Sequence, residues 1–364
     1  MKKDAFDTVT GVVNDGFEGR FRRWELQAAA RRLLPAERVF SCLRVLRKGE
    51  TGFSAFRRVA DSSVYFSGLA ICGSSWVCPV CAAKISERRR GELLQAVSEW
   101  KARGGHLAFV TLTVPHSAHS VAFHLVDTLL EINRRMNSGR DRLSATVSGY
   151  VGQVRALEVT HGAHGWHPHL HVLLFLDQPP DFKALHRQLW ASWRALVLGA
   201  GLGTPAEGAF KVQDGSVAAK YASKWGIPEE MTKGHFKTAR SARGRTPFAL
   251  LRDYLTSDQQ AGALFREFAA AFKGRRQLRW SPGLRDLLGI GVEKTDEQEA
   301  ASIDAIDEFL GRFEARDFRT VMRHHLLPLI AEIFRTGTHA DVRALLDSYH
   351  NPLDEVLLLS TKGR

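Results

Sequence analysis

Trp166-His167-Pro168-His169-Leu170-His171-Val172-Leu173-Leu174-Phe175 is the stretch on which the reading of the fold turns. Successive side chains of a strand point to opposite faces, so His167, His169 and His171 share one face while Leu170, Val172 and Leu174 take the other. A lone strand histidine is usually a hydrogen-bonded structural residue. Three in strict alternation instead offer imidazoles that converge on a divalent ion. Just upstream, Val151 to Thr160 reads as a second strand, and His161-Gly162-Ala163-His164-Gly165-Trp166 as the loop of a hairpin. If those six residues turn the chain, Thr160 pairs with His167, and Glu158 lies opposite His169 on the same face. A carboxylate there supplies the oxygen ligand that Mg2+ or Mn2+ prefers to an all-imidazole cage. Glu158, His169 and His171 are therefore the expected ligands of a catalytic metal.

Outward from the hairpin, His106 to Val114 is a strand bounded by Pro115, and helical spacing covers Val121 to Asn137 and Phe182 to Leu198. A glycine-rich connection from Gly199 to Gly208 leads to a short strand, Ala209 to Gln213, and then to a helix from Ser216 to Trp225. Strand, helix, hairpin, helix, strand, helix is the order of an α+β fold, an antiparallel sheet flanked by helices, over about residues 103 to 226. The expected organisation is a basic helix (Arg20 to Leu34) and a cysteine segment within residues 1–102, the sheet domain with a downstream extension in 103–290, and a helical C-terminal region in 291–364.

The cysteine segment runs from Ser41 to Ile85 in a short, irregular pattern that would make a poor core by itself. It contains all four cysteines of the chain: Cys42, Cys72 and the pair Cys78-Pro79-Val80-Cys81. Cys-x-x-Cys places two thiolates on one tight turn, half of a tetrahedral zinc site, and Cys42 and Cys72 can close it. A structural zinc is expected. A helix from Ala83 to Ala102 follows, and its first turns carry Lys84, Arg88, Arg89 and Arg90, cations suited to a DNA backbone.

On the helix expected from Ser216, Tyr221 and Lys224 are three apart and share a face. A tyrosine hydroxyl has a pKa near 10, so it becomes a nucleophile at neutral pH only where a cation or a metal-bound phosphate favours its oxyanion. Lys224 can supply part of that field.

Charge points to the same class of partner. The chain of 364 residues has a formal charge of +12. Residues 291–364 hold 14 acids against 9 Lys and Arg, a net of −5, which leaves +17 on residues 1–290. Such an excess attracts phosphate backbones. Met1-Lys2-Lys3-Asp4-Ala5 leads into no apolar signal segment, four cysteines are too few for a secreted disulfide scaffold, and no apolar run reaches membrane-spanning length. A cytoplasmic protein without a membrane partner is expected.

Taken together, these features resemble the HUH endonuclease superfamily, and within it the rolling-circle replication initiator (Rep) proteins of small bacterial plasmids. Phe109-Val110-Thr111-Leu112-Thr113 is similar to the family's first motif, His169-Leu170-His171 to its metal motif and Tyr221-Ala222-Ser223-Lys224 to its catalytic tyrosine motif, in the family's order. Arg245 to Leu251, and Lys273 to Ser281, look like one plasmid subgroup, so the resemblance spans roughly residues 38 to 287. It implies an HUH-type nuclease domain with a DNA-binding extension. The implied reaction is a transesterification in which Tyr221 takes the 5′-phosphate of one strand and leaves a free 3′-hydroxyl. The implied partners are single-stranded or cruciform origin DNA, with His167 among the DNA contacts, a host polymerase and a host helicase. No Gly-x-x-x-x-Gly-Lys-[Ser/Thr] motif occurs, in keeping with a borrowed helicase. The chain departs from some relatives at Val217, where they carry a glutamate thought to activate water in termination. Only one tyrosine lies in the expected helix.

Two other readings stay open at this level: a transposase or mobilisation relaxase with the same chemistry, and a zinc-containing DNA-binding regulator that does not cut. For the C-terminal helices, homodimer formation, helicase recruitment and simple packing all remain candidates.

Overall fold

A computed structural model describes residues 17–59, 62–140, 142–215, 244–303 and 306–349. The strands are β1 (Gly52–Arg57), β2 (Val64–Ser67), β3 (His106–Thr113), β4 (Tyr150–Gly162), β5 (Gly165–Leu176), β6 (Phe210–Asp214), β7 (Leu278–Trp280) and β8 (Glu308–Glu314). The helices of the first half are α1 (Phe17–Leu33), α2 (Pro79–Ala102), α3 (Ala122–Met136), α4 (Leu143–Thr146) and α5 (Phe182–Gly199). Those of the second half are α6 (Pro247–Leu255), α7 (Gln259–Phe272), α8 (Leu284–Leu287), α9 (Asp296–Ala301), α10 (Ala315–Arg323), α11 (Leu327–Thr336) and α12 (His339–Tyr349).

Five strands form the main sheet in the order β6-β3-β5-β4-β7, and every neighbouring pair is antiparallel. The central strand β5 is covered on both faces. Leu170, Val172 and Leu174 join Leu157 and Val110 in a core with α3 and α5, whereas Leu173 and Phe175 join Phe109, Ala156 and Val154 against Leu93, Ala96, Val97 and Trp100 of α2. Each such Leu, Phe or Val withdrawn from water contributes about 1.5–3 kcal/mol, enough in sum to fix the register of both faces. Helix α2 covers only part of its face. The stretch of β5 at His169 and His171 stays half-buried.

The expected hairpin register is observed: Thr160 pairs with His167 and Glu158 with His169. The loop is shorter than six residues, because pairing continues through His161↔Trp166 and Gly162↔Gly165. Only Ala163 and His164 turn the chain, and Gly165 follows at φ +81°. A side chain at Gly165 would be strained at that φ and would also meet the Ser117 carbonyl at 2.7 Å.

Two departures from expectation concern long-range pairing. The cysteine segment is not irregular throughout: it contains β1 and β2, joined with β8 in a second antiparallel sheet of order β2-β1-β8. The region after Ile290 is helical except for β8, which pairs with β1 along Gly52↔Glu314 to Arg57↔Glu308. Strands from opposite ends of the chain therefore share one sheet, and α9 packs on α2. The expected helix from Ser216 to Trp225, with Tyr221 and Lys224, lies outside the described residues.

Candidate functional site

Glu158, His169 and His171 are brought together on the open part of the sheet, their ligand atoms all within 4.8 Å of one another. His169 Nε2 lies 3.2 Å and His171 Nε2 3.6 Å from Glu158 Oε2. The remote ring nitrogens are held from behind. His169 Nδ1 donates to the His167 carbonyl at 3.3 Å, and His171 Nδ1 meets the Thr111 hydroxyl at 3.1 Å. With Nδ1 engaged, Nε2 of each ring faces the carboxylate: carrying a proton it donates to Glu158, and without one it offers its lone pair to a metal. Phe109 stacks on the His171 ring at 5.1 Å and limits its rotation. Thr111 faces His171 and Thr113 faces His169 because β3 pairs with β5 in that register.

The electrostatics are those of a cation site. Partial burial alone would raise the Glu158 carboxyl, but hydrogen bonds from His169 and His171, with their charges, outweigh it and hold it well below the usual carboxylate range. Burial would lower His169, yet the bond to Glu158 wins and raises it. Two imidazoles and one ionised carboxylate, three ligands with positions left over, suit a divalent ion that must also bind substrate.

His167 stands beside the three rather than among them. Its Nδ1 lies 3.1 Å from His116 Nε2, and His116 Nδ1 donates to the Val114 carbonyl at 3.0 Å. Burial, with His169 and His116 close by, pushes His167 down to about 4, so its ring is neutral near pH 7. Thr111 and His116 were not anticipated as site residues. Thr111 lay in a recognised strand, but its role depends on the β3–β5 register. His116 had no signal beyond its place after Pro115.

The four cysteines form a second cluster, buried and without disulfides. Cys42 Sγ lies 3.8 Å from Cys78 Sγ and 3.6 Å from Cys81 Sγ, and Cys72 Sγ lies 3.7 Å from Cys81 Sγ. A tetrahedral zinc with Zn–S of about 2.3 Å has S···S edges of about 3.8 Å, so the donor set can hold a metal such as zinc. Cys78 caps α2 and accepts from the Cys81 backbone N–H and from Gln27 Nε2. Burial opposes ionisation of Cys78, but hydrogen bonds from the other three cysteines override it and favour its thiolate. From the cluster, Trp76 reaches Phe268 and Phe272 of α7, and its Nε1 donates to the Arg275 carbonyl at 2.7 Å.

The cations at the start of α2 are engaged within the chain. Lys84 Nζ donates to the Ser302 carbonyl at 2.8 Å and lies 4.0 Å over the Tyr65 ring. Arg88 also reaches the Ser302 carbonyl, Arg89 pairs with Asp296, and Arg90 Nε donates to Glu87 at 3.0 Å. A phosphate arriving at this helix has to compete with those partners.

The described chain breaks off after Gly215 and resumes at Gly244. There Arg245 exchanges two backbone hydrogen bonds with His161, of 2.7 and 2.8 Å, three residues beyond Glu158 on β4.

Among the described residues, no helix is long and apolar enough to cross a membrane. The chain is 27% identical over 351 residues to the protein named Protein rep of Streptomyces lividans, an alignment that covers 73% of this chain and 74% of that one. It is also 30% identical over 148 residues to the Neomycin resistance protein of Streptomyces cyanogenus, covering 33% of this chain and 34% of that protein. No solved structure matches it. Residues 68–309, which include the cysteine pair, the hairpin and β7, match the Replication protein family, and the chain belongs to that family.

Proposed function

We propose that this protein initiates rolling-circle replication of a plasmid by nicking one strand of origin DNA, with Tyr221 as nucleophile, in the manner of HUH endonucleases. The observation that carries the proposal is the convergence of Glu158, His169 and His171 on an open stretch of the sheet in a member of the Replication protein family. Mg2+ or Mn2+ in that cradle would supply Lewis-acid polarisation of the scissile phosphate. Glu158 holds the negative charge of the site, and the His167 carbonyl and Thr111 hydroxyl keep the two imidazoles aimed at it. The hydroxyl oxygen of Tyr221 attacks phosphorus in line, the bond from phosphorus to the 3′-oxygen breaks, and its electron pair leaves with that oxygen. The products are a 5′-phosphotyrosyl link and, after protonation, a 3′-hydroxyl that a host polymerase extends. Lys224 stabilises the developing tyrosine oxyanion or the phosphate. Reversal of the same step rejoins the strand without a nucleotide cofactor.

Two features support the reading. Arg245, downstream of Tyr221 in the sequence, pairs with His161, three residues beyond Glu158 on β4. Membership of a replication family favours an initiator over a transposase or a relaxase. A regulator that does not cut would have no use for three convergent ligands with positions left open. The four-cysteine cluster holds zinc in this account and fixes the start of α2 to α1 and α7. The test is cleavage of single-stranded origin DNA with Mn2+: the wild type nicks it, and Tyr221→Phe does not. Cleavage by Tyr221→Phe at the wild-type rate would overturn the nucleophile assignment.

A further inference from the structure

On the sheet face opposite Glu158, a groove of about 1140 Å3 runs between α3 and the edge strand β7. Its lining holds five arginines against two carboxylates. Ion pairs account for part of this excess: Arg275 with Asp127, Arg134 with Glu131, and Arg276 with Glu293 outside the groove. Among the described residues, Arg155 and Arg279 have no carboxylate within ion-pair reach.

These two are directly opposed cross-strand partners in the β4–β7 pair, so both side chains stand on one face. Arg155 lies three residues before Glu158, which places it on the face away from the metal ligands. Like charges directly opposite in a sheet are destabilising. This pair is the more costly because Arg155 is only 6% exposed. One of its terminal nitrogens donates to the Arg276 carbonyl at 3.3 Å, and the other, Nη1, is buried with no partner among the described residues. Burial, then the charge of Arg279, pushes Arg155 down to about 10, still a cation at neutral pH. A buried guanidinium with one terminal nitrogen unsatisfied and a second guanidinium facing it is a costly arrangement for packing alone, and an anion between them would offset both desolvation and repulsion. Gln153 beside them leaves its Oε1 without a partner, an acceptor for water carried in with a hydrated anion.

We infer that Arg155 and Arg279 form a binding site for a phosphate group of the DNA backbone, separate from the nicking site and on the other face of the sheet. The Replication protein family selects DNA among polyanions. Trp280 borders the groove but is buried, its ring packed into the core on the α2 side, so the lining presents mainly guanidinium groups and sequence-independent phosphate contact is the mode it fits. Because β7 is the edge of the sheet, DNA held here can pass round that edge towards the face with Glu158. The site does not depend on the nicking chemistry.

The test is the salt dependence of binding to a fluorescein-labelled duplex of non-origin sequence, followed by anisotropy. The double variant Arg155→Gln/Arg279→Gln should weaken binding about 3- to 10-fold and flatten the slope of log K against log salt by about 0.9, the share of one phosphate. Arg279→Gln alone changes an exposed side chain, keeps the test open if Arg155→Gln fails to fold, and should move the slope in the same direction. An unchanged slope in folded Arg279→Gln and in the double variant would overturn the inference. Stabilisation of the wild type, but not the double variant, by inorganic phosphate with no change in the DNA slope would make this a free-anion site and would also overturn it. Failure of Tyr221 as a nucleophile would leave these results untouched.

Discussion

The two ligand sets differ in how much of the coordination sphere the protein fills. Cys42, Cys72, Cys78 and Cys81 are buried and supply four sulfurs to one point. Glu158, His169 and His171 supply three ligand atoms from a half-buried face. A closed tetrahedron leaves nothing for a substrate to bind, so its energy goes into the fold; an incomplete set leaves room for a phosphate oxygen. The neighbours differ accordingly. Cys78 is held at the N-cap of α2 and by Gln27, whereas the imidazoles are aimed by a carbonyl and a hydroxyl that leave Nε2 turned towards Glu158.

The contrast is broken most directly by moving an effect from one set to the other. Cys78→Ser, or stripping the metal with a chelator, should cost several kcal/mol, on the order of 10 °C or more in Tm, read by circular dichroism. An unchanged melt on metal removal would mean that the sulfurs merely pack. His169→Ala should lower ion-dependent cleavage about 100-fold or more and leave Tm within a few degrees, since its neighbourhood is already open. A large loss of Tm without loss of cleavage would reverse the two roles. Thr111→Val removes only the hydroxyl behind His171 and should weaken Mn2+ affinity about 10-fold by isothermal titration, with Thr111→Ser close to wild type.

The smallest effect is a pH dependence of stability in the metal-free protein. Glu158 is depressed, so its contribution is present above the ordinary carboxylate value of 4.5 and fades as pH falls through its folded value. His169 is raised, so its contribution is complete below 6.5 and fades as pH rises through its folded value. The pair should therefore stabilise the metal-free protein most between 4.5 and 6.5, by roughly 1 kcal/mol at this partial exposure. Mn2+ needs neutral His169, so its stabilising effect should grow above pH 6.5, the opposite trend. Parallel Tm profiles with and without Mn2+ would argue against binding at this set.

What the sequence disclosed follows the range of the forces involved. The alternation of His167, His169 and His171 and the position of Gly165 are local, and they were enough to put Glu158 opposite His169. The Cys-x-x-Cys turn is local as well, and Cys42 and Cys72 were the only thiols left to complete it. By contrast, β1 is six residues long and its partner β8 lies some 250 residues away, so neither strand carries its own signal. The three-residue β7 becomes a strand only by pairing with Val154, Arg155 and Ala156. Lys84, Arg88 and Arg89 read as free cations until α9 and Ser302 close on them.

The central claim is that Tyr221 and the Glu158–His169–His171 set act on one phosphate. Mass spectrometry of the protein after reaction with single-stranded origin DNA and Mn2+ tests it most directly. The account predicts a nucleotide 5′-phosphate on the peptide that contains Tyr221, absent when Mn2+ is withheld and absent in His169→Ala. An adduct on another residue, or one formed equally well by His169→Ala, would contradict it.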